Sequence, residues 1–501
     1  MENRYFMGLD FGTQGVRCGI IDENGAVAAS CEAKYDTKYP RPGWAEQRPS
    51  QWEECLSTAV FSCRETAGHD VFSRIASIAV CSTASTVIAV DANGAPLRNA
   101  ILWMDVRSVN EAQKINATNH PALRHCGGED SVEWLVPKML WLKENEPEIF
   151  NKASRIVEQQ DYINHYLTGE WCSSVSQSTC KANYVEELGG FAPDFFEAIG
   201  LPEFFEKANT RVIKQGQEVG KLRGGIARGF GLSPNVKVYQ GGIDAHINMI
   251  GLGVNRPGQT GVVLGSSFVH LAMVEKPLFK EGIWGPYKDA IIPDAYCLEG
   301  GQVSAGSITK WFLKEFDIKG QNPYLTIADE AAKVPIGCEG VVALDFFQGN
   351  RTPYKDPLAK GVFYGLTLSH TRAHMYRAVL ESIAFGTRNI LDSMSGKDTE
   401  INEIRACGGV VNNPLWLQII ADVTRRPVVL TEQSGMAGVL GCAVIAAVGV
   451  GHCAGFGEAC GKMVHTTRVI EPNESNSKLY DAPYNDYHLL YDSLKQMMHR
   501  R

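Results

Sequence analysis

Basic residues are in the minority here: 48 Lys and Arg stand against 56 Asp and Glu, a formal charge of −8. The chain therefore lacks the basic excess or stripe by which nucleic-acid binders are known. Among its 14 cysteines no two fall at the C-x-x-C spacing of zinc sites or redox pairs, and they read as small buried apolar side chains in a reducing, cytoplasmic compartment. Residues 1–10 carry Glu2, Arg4 and Asp10 around an apolar run too brief for a signal-peptide core. Long hydrophobic runs are also missing. Between Glu432 and Glu458 there is no Asp, Glu, Lys or Arg, but the apolar part, residues 439–450, is shorter than the roughly 20 residues of a bilayer span. Gly435, Gly438, Gly441 and Gly449 punctuate it, so a helix buried among other elements is expected. No P-loop, protein-kinase catalytic loop or G-x-S-x-G pattern occurs, and no low-complexity segment.

What is present is a chain of 501 residues with 44% apolar and 21% charged side chains, ordinary for a globular protein. That length exceeds what one hydrophobic core supports and predicts about two domains. Residues 5–29 alternate β-prone runs with glycine turns, and Asn24-Gly25 is a strong hairpin signal, so an antiparallel meander is expected. Further β-prone runs cover 75–80 and 86–90, and helical periodicity runs from Val132 to about Leu167 with a break at Pro147. The opening pattern of strand, small-residue turn and strand returns at 260–274, which suggests a duplicated architecture with a boundary near residue 253. Helices are expected over about 305–316, 372–394 and 414–424, the last started by Asn413 before Pro414, with an amphipathic piece around 487–498.

Four stretches carry chemistry. Asp10-Phe-Gly12-Thr13-Gln14-Gly15 is a strand-to-strand turn whose amides suit phosphate oxygens, and Asp10 is a hard oxygen ligand suited to a hydrated Mg²⁺; a plain hairpin with a solvated Asp is the alternative. Gly265-Ser266-Ser267 repeats the turn without the carboxylate. Gly408, Gly409, Asn412 and Asn413 lead from an apolar strand into a capped helix, where free amides gather and a nucleotide can rest; a tight connection alone is the competing account. Gln240-Gly-Gly-Ile-Asp244-Ala-His246 sets one carboxylate after two glycines. Phosphoryl transfer needs little covalent chemistry beyond a carboxylate that takes the acceptor's proton, and Asp244 suits that role as well as it suits a helix N-cap. His246 reads as a structural or substrate-contacting residue. Trp103 and Asp105, with Arg107, offer an aromatic wall and polar groups for a polyhydroxylated ligand, or else a core tryptophan beside an ion pair.

Taken in order, these pieces resemble the FGGY family of carbohydrate kinases, of the actin-like ATPase superfamily, from about Tyr5 to Gly451. Lys360-Gly-Val-Phe-Tyr-Gly-Leu366 with His374-Met-Tyr-Arg-Ala-Val-Leu-Glu381 fits the family's C-terminal signature. Lys138-Met-Leu-Trp-Leu-Lys-Glu-Asn145 fits the latter part of its N-terminal one, while Glu133 and Leu135 depart from it. The resemblance implies an α/β fold of two actin-like, ribonuclease H-like domains, 1–253 binding sugar and 254–501 binding nucleotide, with an interdomain cleft. It assigns Asp10, Gly12, Thr13, Gln14, Gly265, Ser266 and Ser267 to the phosphates and Mg²⁺, with Gly306 and Lys310 near the nucleotide. Gly408, Gly409, Asn412 and Asn413 go to adenosine and Asp244 is the catalytic base. Where xylulokinases place a Met-His pair against the sugar, this chain has Ala84-Ser85; other segments, such as Gln348-Gly-Asn-Arg-Thr-Pro353, look like the ribulokinase-type branch, part of which erythritol-type kinases share. The expected activity is thus ATP-dependent phosphorylation of a small sugar, a pentulose such as ribulose or xylulose. A polyol kinase and a non-catalytic nucleotide or sugar sensor are the alternatives. No nucleic-acid or membrane partner is expected, and a homodimer stays open.

Overall fold

The computed structural model describes residues 4–397 and 399–500; residues 1–3, where the stretch read for a leader begins, lie outside them. The chain forms two compact units. One comprises Met1–Asn255, Gly285–Cys297 and Met436–His465, the other Arg256–Trp284, Leu298–Gly435 and Thr466–Arg501. The change of unit at Asn255 falls beside the expected boundary, but a single cut there does not describe the chain, which returns twice to the first unit. The second return has a clear cause. Helix Ala437–Gly449 is apolar on every side, so it is stable only when enclosed, and it packs on strand Tyr5–Phe11 and helix Asp244–Gly251 of the first unit. Among the described residues no helix is long and apolar enough to cross a membrane.

The first unit is built on a six-stranded sheet in the order Glu218–Lys221, Lys237–Ile243, Ile75–Ser82, Tyr5–Phe11, Gly15–Asp22, Val27–Lys34. The last three strands are the antiparallel meander expected from the Gly12 and Gly25 turns, and Ile75–Ser82 and Lys237–Ile243 extend it in parallel. In the second unit Phe268–Val274 and Gln259–Leu264 pair antiparallel, Glu403–Cys407 and Val428–Thr431 follow in parallel, and Thr466–Ile470 closes antiparallel. Five strands of each sheet share this order of pairings, so the duplication suggested by two glycine turns extends to the centre of both sheets.

Helices Gly306–Glu315, Arg372–Met394 and Pro414–Thr424 lie where periodicity places them. The helical stretch expected from Val132 to Leu167 is interrupted. Helices Leu135–Asn145, Pro147–Lys152 and Gln159–Thr168 flank a strand, Arg155–Glu158, that pairs antiparallel with Val87–Val90. Two adjacent β-branched residues, Ile156 and Val157, fit a pleated, buried surface, and periodicity over four residues cannot separate a strand from a buried helical turn.

Candidate active site

In the first unit, Asp10 stands next to last on strand Tyr5–Phe11 and is 5% exposed. Its Oδ1 accepts from the Cys81 thiol at 3.3 Å and its Oδ2 lies 3.6 Å from the guanidinium of Arg17. Burial dominates these partners and raises the Asp10 carboxyl above its ordinary range. The adjoining turn is closed by Gly12 N–H donating to the Gly15 carbonyl at 3.0 Å. The buried Tyr35 hydroxyl braces it from beneath, donating to the carbonyls of Gly12 and, at 3.0 Å, Gly15. Burial, reinforced by the charges of Asp10 and Asp244, keeps that phenol protonated. Thr13 is held from outside. Gln47 Nε2 donates to its carbonyl at 2.8 Å and Trp103 Nε1 to its hydroxyl at 3.0 Å. Gln14 stands exposed at the tip.

Strand Lys237–Ile243 runs directly into helix Asp244–Gly251. The N-cap is Ile243, so Asp244 is not the capping residue. It occupies the first helical position, where its Oδ1 accepts from Ala245 N–H at 2.7 Å. Burial first, then the charge of Asp10, pushes the Asp244 carboxyl up to about 7, against smaller opposing effects of the Ala245 amide and Arg17. His246 is buried two residues further along.

Ala84 and Ser85 lie on the turn after strand Ile75–Ser82, with Ser85 at 2% exposure in a left-handed conformation, φ 63°. Trp103 keeps about a third of its surface exposed. Asp105 does not share that exposure. It is fully buried, with Oδ2 taking the Ala45 N–H at 2.6 Å and Arg107 at 2.7 Å, and Oδ1 taking Arg107 Nε at 2.8 Å. The guanidinium of Arg107 stacks 3.7 Å from the centre of the Trp44 ring. Asp105 thus anchors the loop that carries Trp103 and has no face turned to a ligand.

The second unit holds a cavity of about 490 Å³, of small-ligand size. Of the residues assigned to the nucleotide and its phosphates in this unit, Gly265, Ser266, Gly306, Lys310, Gly409, Asn412 and Asn413 line it, and Ser267 and Gly408 do not. Gly408 has φ 100°, and a Cβ there would stand 2.5 Å from the Leu264 carbonyl, so this glycine serves a close crossing of backbones. Gly306 acts similarly: its N–H donates to the Gly265 carbonyl at 3.2 Å, fastening the start of helix Gly306–Glu315 to the turn. The starts of helices Gly306–Glu315, Pro323–Ala331 and Pro414–Thr424 all reach the cavity, and helix N-termini attract phosphate. Asn413 caps the third through Trp416 N–H at 3.1 Å. Sequence reading passed over Asn322, Tyr324, Leu325 and Trp416 in this lining. Asn322 before Pro323 repeats the Asn413-Pro414 start signal and could have been found by it.

Comparison with known proteins places the chain in one class, kinases of small sugars. A xylulose kinase from Rhodospirillum rubrum superposes with a TM-score of 0.89 at 27% identity, covering 99% of this chain and 100% of that one. An FGGY carbohydrate kinase domain-containing protein of Xenopus laevis is 32% identical, covering 96% of this chain and 95% of its own length. A ribulokinase from Shouchella clausii is 31% identical, covering 98% and 95%. The N-terminal domain of the FGGY family of carbohydrate kinases matches residues 5–251 and its C-terminal domain residues 261–450. The chain belongs to the FGGY family of carbohydrate kinases, with that family's two-domain α/β fold, and is a sugar kinase. Kinases of this family use ATP.

Proposed function

We propose that this kinase transfers the γ-phosphoryl group of ATP to a hydroxyl of a pentulose, ribulose or xylulose, with Asp244 as general base. The observation that carries the reading is the Asp244 carboxyl, raised to about 7 by burial and by Asp10. A base of that strength is half ionised near neutral pH and matched to accept the proton an alcohol releases as it attacks phosphorus. The residue choice follows from the same demand. One oxygen of Asp244 is held by Ala245 N–H, which fixes the carboxylate and leaves the other oxygen to meet the acceptor. The pentulose assignment leans on relatives described as ribulokinase and xylulose kinase.

In this reading the first unit carries the acceptor. Asp244 takes its proton, Trp103 lies against its carbon skeleton, and Ala84, Ser85 and His246 border it, while Asp105 keeps the Trp103 loop in place. The second unit carries the nucleotide, with the Gly265–Ser267 turn and Gly306 toward the phosphates and Lys310, Gly409, Asn412 and Asn413 toward the nucleoside. Thr13 and Gln14, at the tip of the turn that the Gly12 N–H closes, face the phosphoryl group, and Gly12 leaves room for its approach. Mg²⁺ suits Asp10, a hard oxygen donor close to that turn. Held there, the ion would take one carboxylate, water and phosphate oxygens. Bound there, Mg²⁺ would neutralise phosphate charge.

The test is ATP consumption with Mg²⁺ over D- and L-ribulose, D- and L-xylulose, erythritol, ribitol, glycerol and fructose, with Asp244→Ala as control. One pentulose strongly preferred, and silent in the variant, supports the reading. Preference for erythritol or glycerol overturns the substrate assignment, and full turnover by Asp244→Ala overturns the base.

A further inference from the structure

Resting on the acceptor site just proposed, we infer that Lys138 is a positioning residue that sets the acceptor-binding wall by tying its two segments together. Lys138 is fully buried on helix Leu135–Asn145. Its ammonium donates to the carbonyls of Ser85 at 2.8 Å, Leu102 at 2.6 Å and Trp103 at 3.3 Å. An ammonium has three donors and no acceptor, and all three are committed to backbone oxygens on two loops far apart in sequence. Buried carbonyls need partners; the Leu102 carbonyl also takes the Asp105 N–H at 3.0 Å, and Lys138 adds a tie from it to the Ser85 loop.

The consequences run to the atoms that face a ligand. Ser85 has φ 63°, a conformation uncommon for a residue with a side chain and kept only where surroundings impose it. The grip of Lys138 on its carbonyl is one such constraint. The Thr83 hydroxyl, bonded to Thr86 at 2.9 Å and donating to Gln159 at 2.9 Å, is another. So held, the Ser85 Oγ is buried without a hydrogen-bond partner, an arrangement that costs stability unless something outside the chain completes it. On the other side, the same ammonium fixes the Trp103 carbonyl while the Trp103 indole reaches Thr13 Oγ1. One buried cation thereby links the Ser85 hydroxyl, the Trp103 ring and the Asp10–Gly15 turn. Glu158, also buried, faces the Lys138 head group: burial raises its carboxyl to about 8, while the Lys138 charge and the Ser85 N–H favour its ionised form.

The experiment compares Lys138→Met, Glu158→Gln and the double variant, in which no buried charge is left unpaired, by steady-state kinetics using the best acceptor of the panel. Positioning predicts an acceptor KM raised about tenfold or more in Lys138→Met and in the double variant, with the KM for ATP unchanged, whereas Glu158→Gln, which keeps the lysine but removes its counter-charge, should melt lower with a smaller rise in acceptor KM. A merely structural lysine would lower the melting temperature and leave the acceptor KM alone, and that result overturns the inference. If neither Lys138→Met protein folds, Lys138→Arg decides: a planar head cannot serve three converging carbonyls, so its acceptor KM rises, and an unchanged value overturns the inference. A wild-type chain whose ATP consumption no acceptor of the panel stimulates would instead overturn the acceptor site on which the inference rests.

Discussion

A Cβ on Gly438 would stand 2.6 Å from Oδ2 of Asp10. Helix Ala437–Gly449 can therefore approach the end of strand Tyr5–Phe11 only because this position has no side chain. Gly438→Ala should push the Asp10 carboxylate from its place between Cys81 and Arg17. The expected outcome is a fall in kcat of about tenfold or more with a raised requirement for Mg²⁺, at a stability cost of about 1–3 kcal/mol. Magnesium titrations of the initial rate together with thermal melts check it. A variant melting lower but with wild-type magnesium dependence would show that Asp10 has nothing to do with the metal.

Asp244 invites a sharper separation of chemistry from binding. If it removes the acceptor's proton, Asp244→Asn keeps the size and the Ala245 contact but loses the base, and kcat should fall about 10²–10⁴-fold. The KM for ATP should stay the same, since the cavity is lined wholly by residues of the other unit. Isothermal titration with ADP gives the same answer without turnover: unchanged ADP affinity is expected, and a parallel loss of affinity would make Asp244 a binding residue.

The acid limb of the pH profile follows from the same group. Its folded pKa of about 7 is raised from 3.8, so the carboxylate is protonated as pH falls through 7. The rate constant kcat/KM should then drop about tenfold per pH unit on the acid side. Arg17 opposes this rise, so Arg17→Gln should move the acid limb to higher pH. The sign for stability is the reverse of that for activity. A carboxyl whose folded pKa is raised stabilises the fold at low pH, and this contribution is lost as pH rises through the folded pKa. That loss runs from the unfolded value of 3.8 up to about 7, so Asp244→Asn should melt higher than wild type at pH 8, by less at pH 5, and show little gain only below about pH 4.

Much of this was legible in the sequence because it is local. The meander is written in Gly12 and Asn24-Gly25, helix Pro414–Thr424 in Asn413-Pro414, and the second glycine turn in Gly265. What could not be read is what depends on residues distant in sequence. Asp105 looks like a surface carboxylate beside a tryptophan, yet it is buried because Ala45 and Arg107 satisfy it. The return of residues 436–465 to the first unit is invisible to any window-based reading. The glycines of helix Ala437–Gly449 look like interruptions and turn out to be contact points. At Gly441 a Cβ would meet the Ile247 carbonyl at 2.1 Å.

Asn413 offers a last test, one that separates a helix cap from a ligand contact. Its Oδ1 accepts from Trp416 N–H at 3.1 Å, and Trp416 lines the cavity. Asn413→Ala removes the cap, which costs about 0.5–2 kcal/mol, and should loosen the helix start on which the nucleotide is proposed to rest. The KM for ATP should rise several-fold with the acceptor KM unmoved. Asn413→Asp restores an accepting oxygen while adding a negative charge beside the cavity. If the residue acts only as a cap, Asp rescues both the melting temperature and the ATP KM. If its amide also touches the nucleoside, Asp rescues the melting temperature alone, because a carboxylate cannot donate the hydrogen bond that Nδ2 supplies. Melts and ATP saturation curves on the two variants distinguish these outcomes, and an ATP KM unchanged in both would remove Asn413 from the nucleotide site.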